Sequence, residues 1–171
     1  LKLVRYDFEK HFSKKTIKQR YVNNARNLTE LQKRKFRMNA RKIWAFYYDY
    51  AIESENFLPP DNVQFSPVYS VAHRTSPTNI GFLFVSTVIS QHFGYISQGE
   101  MLVRLEKIMN TLDKMDKWNG HIFNWYDTMS LQVLEPKYVS CVDSGNLAAC
   151  LLTASSLIST IDEESTEIYI K

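Results

Sequence analysis

"HRTSPTNIGFLFVSTVISQHFG", residues 73–94, decides the fold. Ser76 ahead of Pro77 reads as a helix start. Serine accepts a hydrogen bond from an otherwise orphaned N–H, and proline at the first helical position has no N–H to lose. The run from Ile80 to Phe93 is apolar nearly all round, which predicts a buried helix, and Gly94 just past it is a stop signal. Ahead of the cap stand one of the chain's four histidines and a lone arginine. A cap alone needs neither.

Working outward, the same logic finds three more helices. In "NLTELQ", Thr29 and Gln32 match a capping box and Leu28 takes the staple position. Leu31, Phe36, Ala40, Ile43, Trp44, Tyr47 and Tyr48 then recur at helical spacing, so the first helix spans roughly 29–53. "SQGE", 97–100, is a second capping box. The stripe Met101, Leu102, Leu105, Ile108, Met109 and Leu112 predicts an amphipathic, half-exposed helix. A fourth begins at Asp143 or Ser144 and runs through "NLAACLLTASSLIST", apolar nearly all round and expected to be buried. Between them lie two long stretches, "ESENFLPPDNVQFSPVYSVAHRTS" and "DKWNGHIFNWYDTMSLQVLEPKYVSCVDSG". The first reads as an extended loop; the second carries short strands in "HIFNWYDT" and "LQVLEPKYVS".

Each long loop precedes a buried helix, and a short turn joins the second helix to the third. With antiparallel neighbours, both loops then lie at one end, over the N-termini of the buried helices. The expected class is all-α: a partial (α/α)6-type barrel of two helical hairpins, about a third of a ring. Residues 1–28 form a basic arm or helix, 29–160 the incomplete barrel, and 161–171 an acidic tail that ends β-like. A third of a ring leaves apolar faces of helices two and four bare. Their expected cover is the rest of a longer parent chain, another chain or self-association.

Composition narrows the partners. Residues 1–42 hold 14 Lys and Arg against three acids, and the remainder seven against 15, which leaves +3 overall. A basic arm suits nucleic acid or an anionic surface, but the acidic body repels phosphates, so no nucleic-acid partner is expected. Cys141 and Cys150 make no disulfide framework and read as reduced and semi-buried. No apolar run looks long enough to span a membrane. No metal or cofactor is expected: cysteine and histidine spacings fit no metal set, and no glycine-rich phosphate loop can be written.

Polar residues collect where the two loops meet. Loop one supplies Asp61, Asn62, His73, Arg74, Thr75 and Asn79; loop two supplies His121, Asn124, Trp125, Tyr126, Asp127, Asp143, Ser144 and Asn146. Amides, carboxylates, an arginine and aromatic rings suit neutral, hydroxyl-rich ligands, because carboxylates accept from sugar hydroxyl pairs and rings stack on pyranose faces. Each has a structural role open to it. Asp143 can cap helix four, Asp127 can close an Asx-turn with Thr128, Trp125 can be core, and Arg74 can brace the loop. His73 and His121 can be hydrogen-bonded scaffold. Asp127 and Asp143 are also the candidate carboxylate pair for glycosyl chemistry.

Four motifs together, "FLPPDN", "VAHRTSPTNIG", "GHIFNWYDT" and "PKYVSCVDSGNLA", closely resemble cyclic β-1,2-glucan synthases across roughly residues 38–158. The resemblance implies the N-terminal part of a glucoamylase-like αα-barrel domain associated with ring-closing transglycosylation, on the cytoplasmic side of a large bacterial inner-membrane protein. It implies a β-glucan ligand held by His73, Arg74, Thr75, Ser76, Asn79, Asn124, Trp125, Tyr126, Asp127, Asp143, Ser144 and Asn146. It places the catalytic carboxylates beyond this segment, so the segment alone is expected to be inactive. Departures are Cys141 for Ser, Val63 for Phe, and "AAC" at 148–150 for Ala-Gly-His. Two further readings stand beside this one: a helical module docking through its basic helix, and a self-contained glycoside hydrolase using Asp127 and Asp143.

Overall fold

The computed structural model describes residues 28–168, with side chains to residue 160. The basic arm and the chain's last three residues lie outside the described residues. Compactness divides the chain into Leu1–Asn39 and Ala40–Lys171.

Helices α1 (Glu30–Tyr50), α2 (Pro77–His92), α3 (Gln98–Lys114) and α4 (Cys141–Ile168) form where local signals put them. Thr29 and Gln32 cap each other reciprocally: Thr29 N–H donates to Gln32 Oε1 at 2.9 Å, and Gln32 N–H to Thr29 Oγ1 at 3.3 Å. Ser76 Oγ accepts from Asn79 N–H at 3.3 Å, and Ser97 Oγ from Glu100 N–H at 3.1 Å. Gly94, with φ 73°, supplies the left-handed residue that ends α2. Helix α4 starts earlier than expected. Ser140 Oγ, not Asp143 or Ser144, accepts the Asp143 N–H at 3.1 Å. Backbone helix continues through the acidic stretch to Ile168, and the β-like end expected after it falls on the last residues, outside the described ones.

The connections are not plain loop, so the fold is helical but not all-α. Among the described residues they form three small antiparallel sheets. In loop one, β1 (Val63–Gln64) pairs with β2 (Ser70–Val71). In loop two, β4 (Lys117–Trp118) and β5 (His121–Ile122) close around Asn119 and Gly120, with φ 48° and 84°. Two consecutive positive φ values are the geometry that Asn-Gly supplies in a hairpin. The third sheet joins the loops: β3 (Arg74–Thr75) pairs with β6 (Asn124–Asp127), which pairs with β7 (Val133–Tyr138). Asn56 reinforces this, donating to the Thr128 and Met129 carbonyls at 2.8 Å each. The segment expected to be extended is therefore folded, and Leu58 near its start is fully buried.

The core is built on α2, with Ile80, Leu83, Phe84 and Val88 against Trp44, Met101, Ile108, Leu112 and Tyr126. Leu102 and Met109, placed on the α3 stripe from spacing, are exposed instead. Helices α2 and α4 run parallel. Thr78 meets Asp143 and Asn146, while three residues on Gly81 meets Leu147 and Cys150. A Cβ on Gly81 would sit 3.0 Å from Cys150 Cβ and 3.2 Å from Leu147 Cα. Glycine lets the two helices approach.

Helix α4 corrects two expectations. It is not buried all round: Val142 and Leu152 are 73% and 74% exposed, on the kind of bare apolar face expected of a partial ring, while Ala154 is buried. Its segment Cys141–Thr160, 20 residues at mean hydropathy 1.3, is also long and apolar enough to cross a membrane by length and composition. The same properties belong to an interior helix of a ring that has a packed neighbour on one side only.

Candidate functional site

The N-terminal ends of α2 and α4 and the sheet between them gather the motif residues into three hydrogen-bonded groups. In the first, Asp61 Oδ2 accepts from Arg74 Nη2 at 3.0 Å and Nε at 3.3 Å, while Oδ1 accepts from Asn79 Nδ2 at 3.4 Å. The Arg74 guanidinium lies 5.0 Å from the Trp125 ring centroid. It braces the loop through Asp61 and presents a cation on an aromatic face at once.

The second group ties the helix starts together. Thr78 Oγ1 donates to Asp143 Oδ1 at 2.6 Å and accepts from Asn146 Nδ2 at 3.1 Å. Burial pushes the Asp143 carboxyl upward, but hydrogen bonds from Ser140, Thr78 and Asn124 outweigh it, holding the group below the usual carboxylate range.

The third group surrounds Glu55, a buried carboxylate. Its Oε1 pairs with His73 Nδ1 at 2.8 Å and its Oε2 accepts from Thr128 Oγ1. Thr128 is fully buried, while the His73 side chain keeps 40% exposure.

Strand alternation sorts the rest. Across β3 and β6, Arg74 faces Asp127 and Thr75 faces Tyr126. Side chains alternate between faces, so Arg74, Trp125 and Asp127 share the half-exposed side. Thr75, Asn124 and Tyr126 share the buried one. Tyr126 is core: its hydroxyl donates to the Asp116 carbonyl at 2.5 Å and accepts from Phe123 N–H at 2.9 Å. Thr75 and Asn124 are buried as well, and Thr75 Oγ1 and Asn124 Oδ1 have no hydrogen-bond partner among the described residues. Asp127 is an Asx-turn, closed on Met129 and Ser130 rather than on Thr128. Its Oδ1 accepts Ser130 N–H at 2.7 Å, Ser130 Oγ–H at 2.9 Å and Met129 N–H at 3.0 Å. Those bonds, Ser130 N–H foremost, hold its carboxyl below the usual range. His121 sits in the β4–β5 hairpin beside Trp118, outside these groups. Both cysteines are free thiols; Cys141 is exposed, not semi-buried, and Cys150 is intermediate.

Three participants were missed from sequence: Glu55, Thr78 and Thr128. Thr78 follows the cap it was counted with, and Glu55 sits in a polar run, "ESEN", with nothing to separate it from its neighbours.

The fold has solved counterparts. A glucoamylase-like protein of Bacteroides fragilis NCTC 9343 superposes with TM-score 0.56 at 20% identity, over 72% of this chain and 33% of its own. Another, from Bacteroides caccae ATCC 43185, gives TM-score 0.58 at 20% identity, over 72% and 34%. The chain thus has a helical barrel-type fold decorated with small sheets. In sequence it is 48% identical over 118 residues to the cyclic β-(1,2)-glucan synthase NdvB of Rhizobium meliloti (strain 1021). The match covers 69% of this chain and 4% of that relative's length. The resemblance carried by the four motifs stands. No protein-family model matches.

Proposed function

We propose that this segment holds a β-1,2-glucan chain across the N-terminal ends of α2 and α4, as the substrate-binding part of a transglycosylating domain. The observation that carries the reading is the Asp61–Arg74–Trp125 arrangement beside the Thr78–Asp143–Asn146 link. It offers carboxylate and amide acceptors, a guanidinium donor and an aromatic face within one rim, the mixture a neutral polyol needs. In this reading the segment works on the cytoplasmic side of a bacterial inner membrane, as the resemblance implies.

Binding without catalysis is favoured by the two carboxylates themselves. Glycosyl hydrolysis needs one carboxylic acid still protonated near neutral pH. Asp127 and Asp143 are both pushed the other way. Titration with linear β-1,2-glucan is expected to change tryptophan fluorescence, and Trp125→Phe to remove most of the change. Folded protein that gives no response overturns the reading. Glucan hydrolysis lost in Asp127→Asn would restore the self-contained hydrolase.

A further inference from the structure

A second cleft lies at the opposite end of α2. Arg41, Trp44, Ala45, Tyr48 and Asp49 on α1 and Tyr95, Ile96 and Glu100 around the α2–α3 turn enclose a cleft of about 330 Å³. That lies within the range of about 300–1,000 Å³ typical of small-molecule sites. Its aromatic wall is held in place from behind. The Arg104 guanidinium lies 4.6 Å from the Tyr48 centroid and 5.5 Å from that of Trp44, and Glu100 Oε1 accepts from its Nε at 3.0 Å. Tyr48 remains 47% exposed, so a large part of its ring is open to solvent. Arg41 lies over Tyr95 at 5.4 Å.

Glu100 is already paired with Arg104, but part of the cleft's polar lining is unspent. No hydrogen bond to another described residue engages the Tyr48 hydroxyl, the Asp49 carboxylate or the Arg41 guanidinium. Asp49 and Arg41 line the cleft with opposite charge, and Glu100 is offset by Arg104 just outside it, so the cleft favours neither an anion nor a cation. Donors and acceptors of both signs around aromatic rings suit a neutral polyhydroxylated ligand. A charged peptide would meet one repulsive partner for each attractive one.

The motif residues stand at the start of α2 and this cleft at its end. Sixteen residues separate the ends, about 24 Å at 1.5 Å per residue. We infer that the cleft is an auxiliary subsite for a neutral gluco-oligosaccharide, contacting a glucan remote from the motif rim. The choice of glucan rests on the function proposed above; the cleft's preference for a neutral saccharide rests on its own residues.

Calorimetric titration of the whole chain with a linear β-1,2-linked glucose hexamer separates the two. Wild type is expected to show two sites. Tyr48→Ala, on an exposed residue that should fold, is expected to weaken one of them about five- to tenfold, and Asp49→Asn to weaken the same site. Trp125→Phe is expected to affect only the other. Tyr48→Ala and Asp49→Asn that leave a wild-type isotherm overturn the auxiliary subsite and spare the motif rim. Loss in Tyr48→Ala alone, with Trp125→Phe silent, keeps the cleft and overturns the rim. An isotherm without heat overturns both.

Discussion

Arg74 does two jobs with one side chain. Nε and Nη2 fork onto a single Asp61 oxygen while the planar group lies over Trp125. Lysine keeps the charge but has neither the fork nor the plane. Arg74→Lys is therefore expected to weaken glucan binding about three- to tenfold, with the fold retained, in the same fluorescence titration. Acid reaches this end through Asp127 and Asp143. Their folded-state values are depressed, so their stabilising contribution is full above the ordinary aspartate value of about 3.9 and is lost as pH falls through the lowered ones. Thermal melts should hold steady from pH 7 to about pH 5 and fall below about pH 4. Asp143→Asn should flatten part of that fall. Thr78→Val, near in shape but without the hydroxyl, takes a donor from Asp143 and an acceptor from Asn146. Because water reaches that end, the expected cost is about 1 kcal/mol in denaturant melts.

At the scale of elements, the parts legible in the sequence are the ones set by neighbours in the chain. Thr29, Ser76 and Ser97 cap the helices they precede because a cap needs only the next three N–H groups. The fourth helix start was misplaced for the converse reason. Asp143 is a good cap by type, but its carboxylate is taken by Thr78, 65 residues away, and Ser140 caps instead. The β3–β6 pairing joins Arg74 to Asp127 across two helices, and no local pattern announces it. The Asn119–Gly120 hairpin did carry a legible local signal, passed over among the aromatics. Of the candidate site, the grouping was legible in part: Asp61, Arg74, Asn79 and Trp125 come together, as do Asp143 and Asn146 through Thr78. Tyr126 had the right type and the wrong face, because period-two alternation fixes the face only once the register is known. Helix contact gives its own test. Gly81→Ala drives a Cβ against Cys150 and the Leu147 backbone, and backbone cannot swing aside. A loss of about 1–3 kcal/mol is expected, with weaker glucan binding because Thr78 and Asp143 are pulled apart.

For the whole molecule, the decisive feature is a long helix packed along one side. Helix α4 shows Val142, Leu151 and Leu152 to solvent, where an enclosed ring would have a neighbour. Self-association at moderate concentration is the expected behaviour of this chain in isolation. Leu152→Lys should shift sedimentation toward the monomer; a wild-type chain that is monomeric at every concentration would count against the partial-ring reading. The same exposure explains why composition misled about burial. An apolar helix reports what it is made to touch, and among the described residues α4 is covered on one side only.

The approach of Gly81 to Cys150 also makes a clock. Burial pushes the Cys150 thiol up, so little thiolate is present near neutral pH, and the glycine leaves no room beside its sulfur for an added group. Cys150 is only partly exposed, so its alkylation is expected to be slow while α2 and α4 are packed and faster once they part. With exposed Cys141 replaced by serine, the rate at which iodoacetamide modifies Cys150 reports on that packing. Bound glucan, by bridging the two helix starts, should slow the modification.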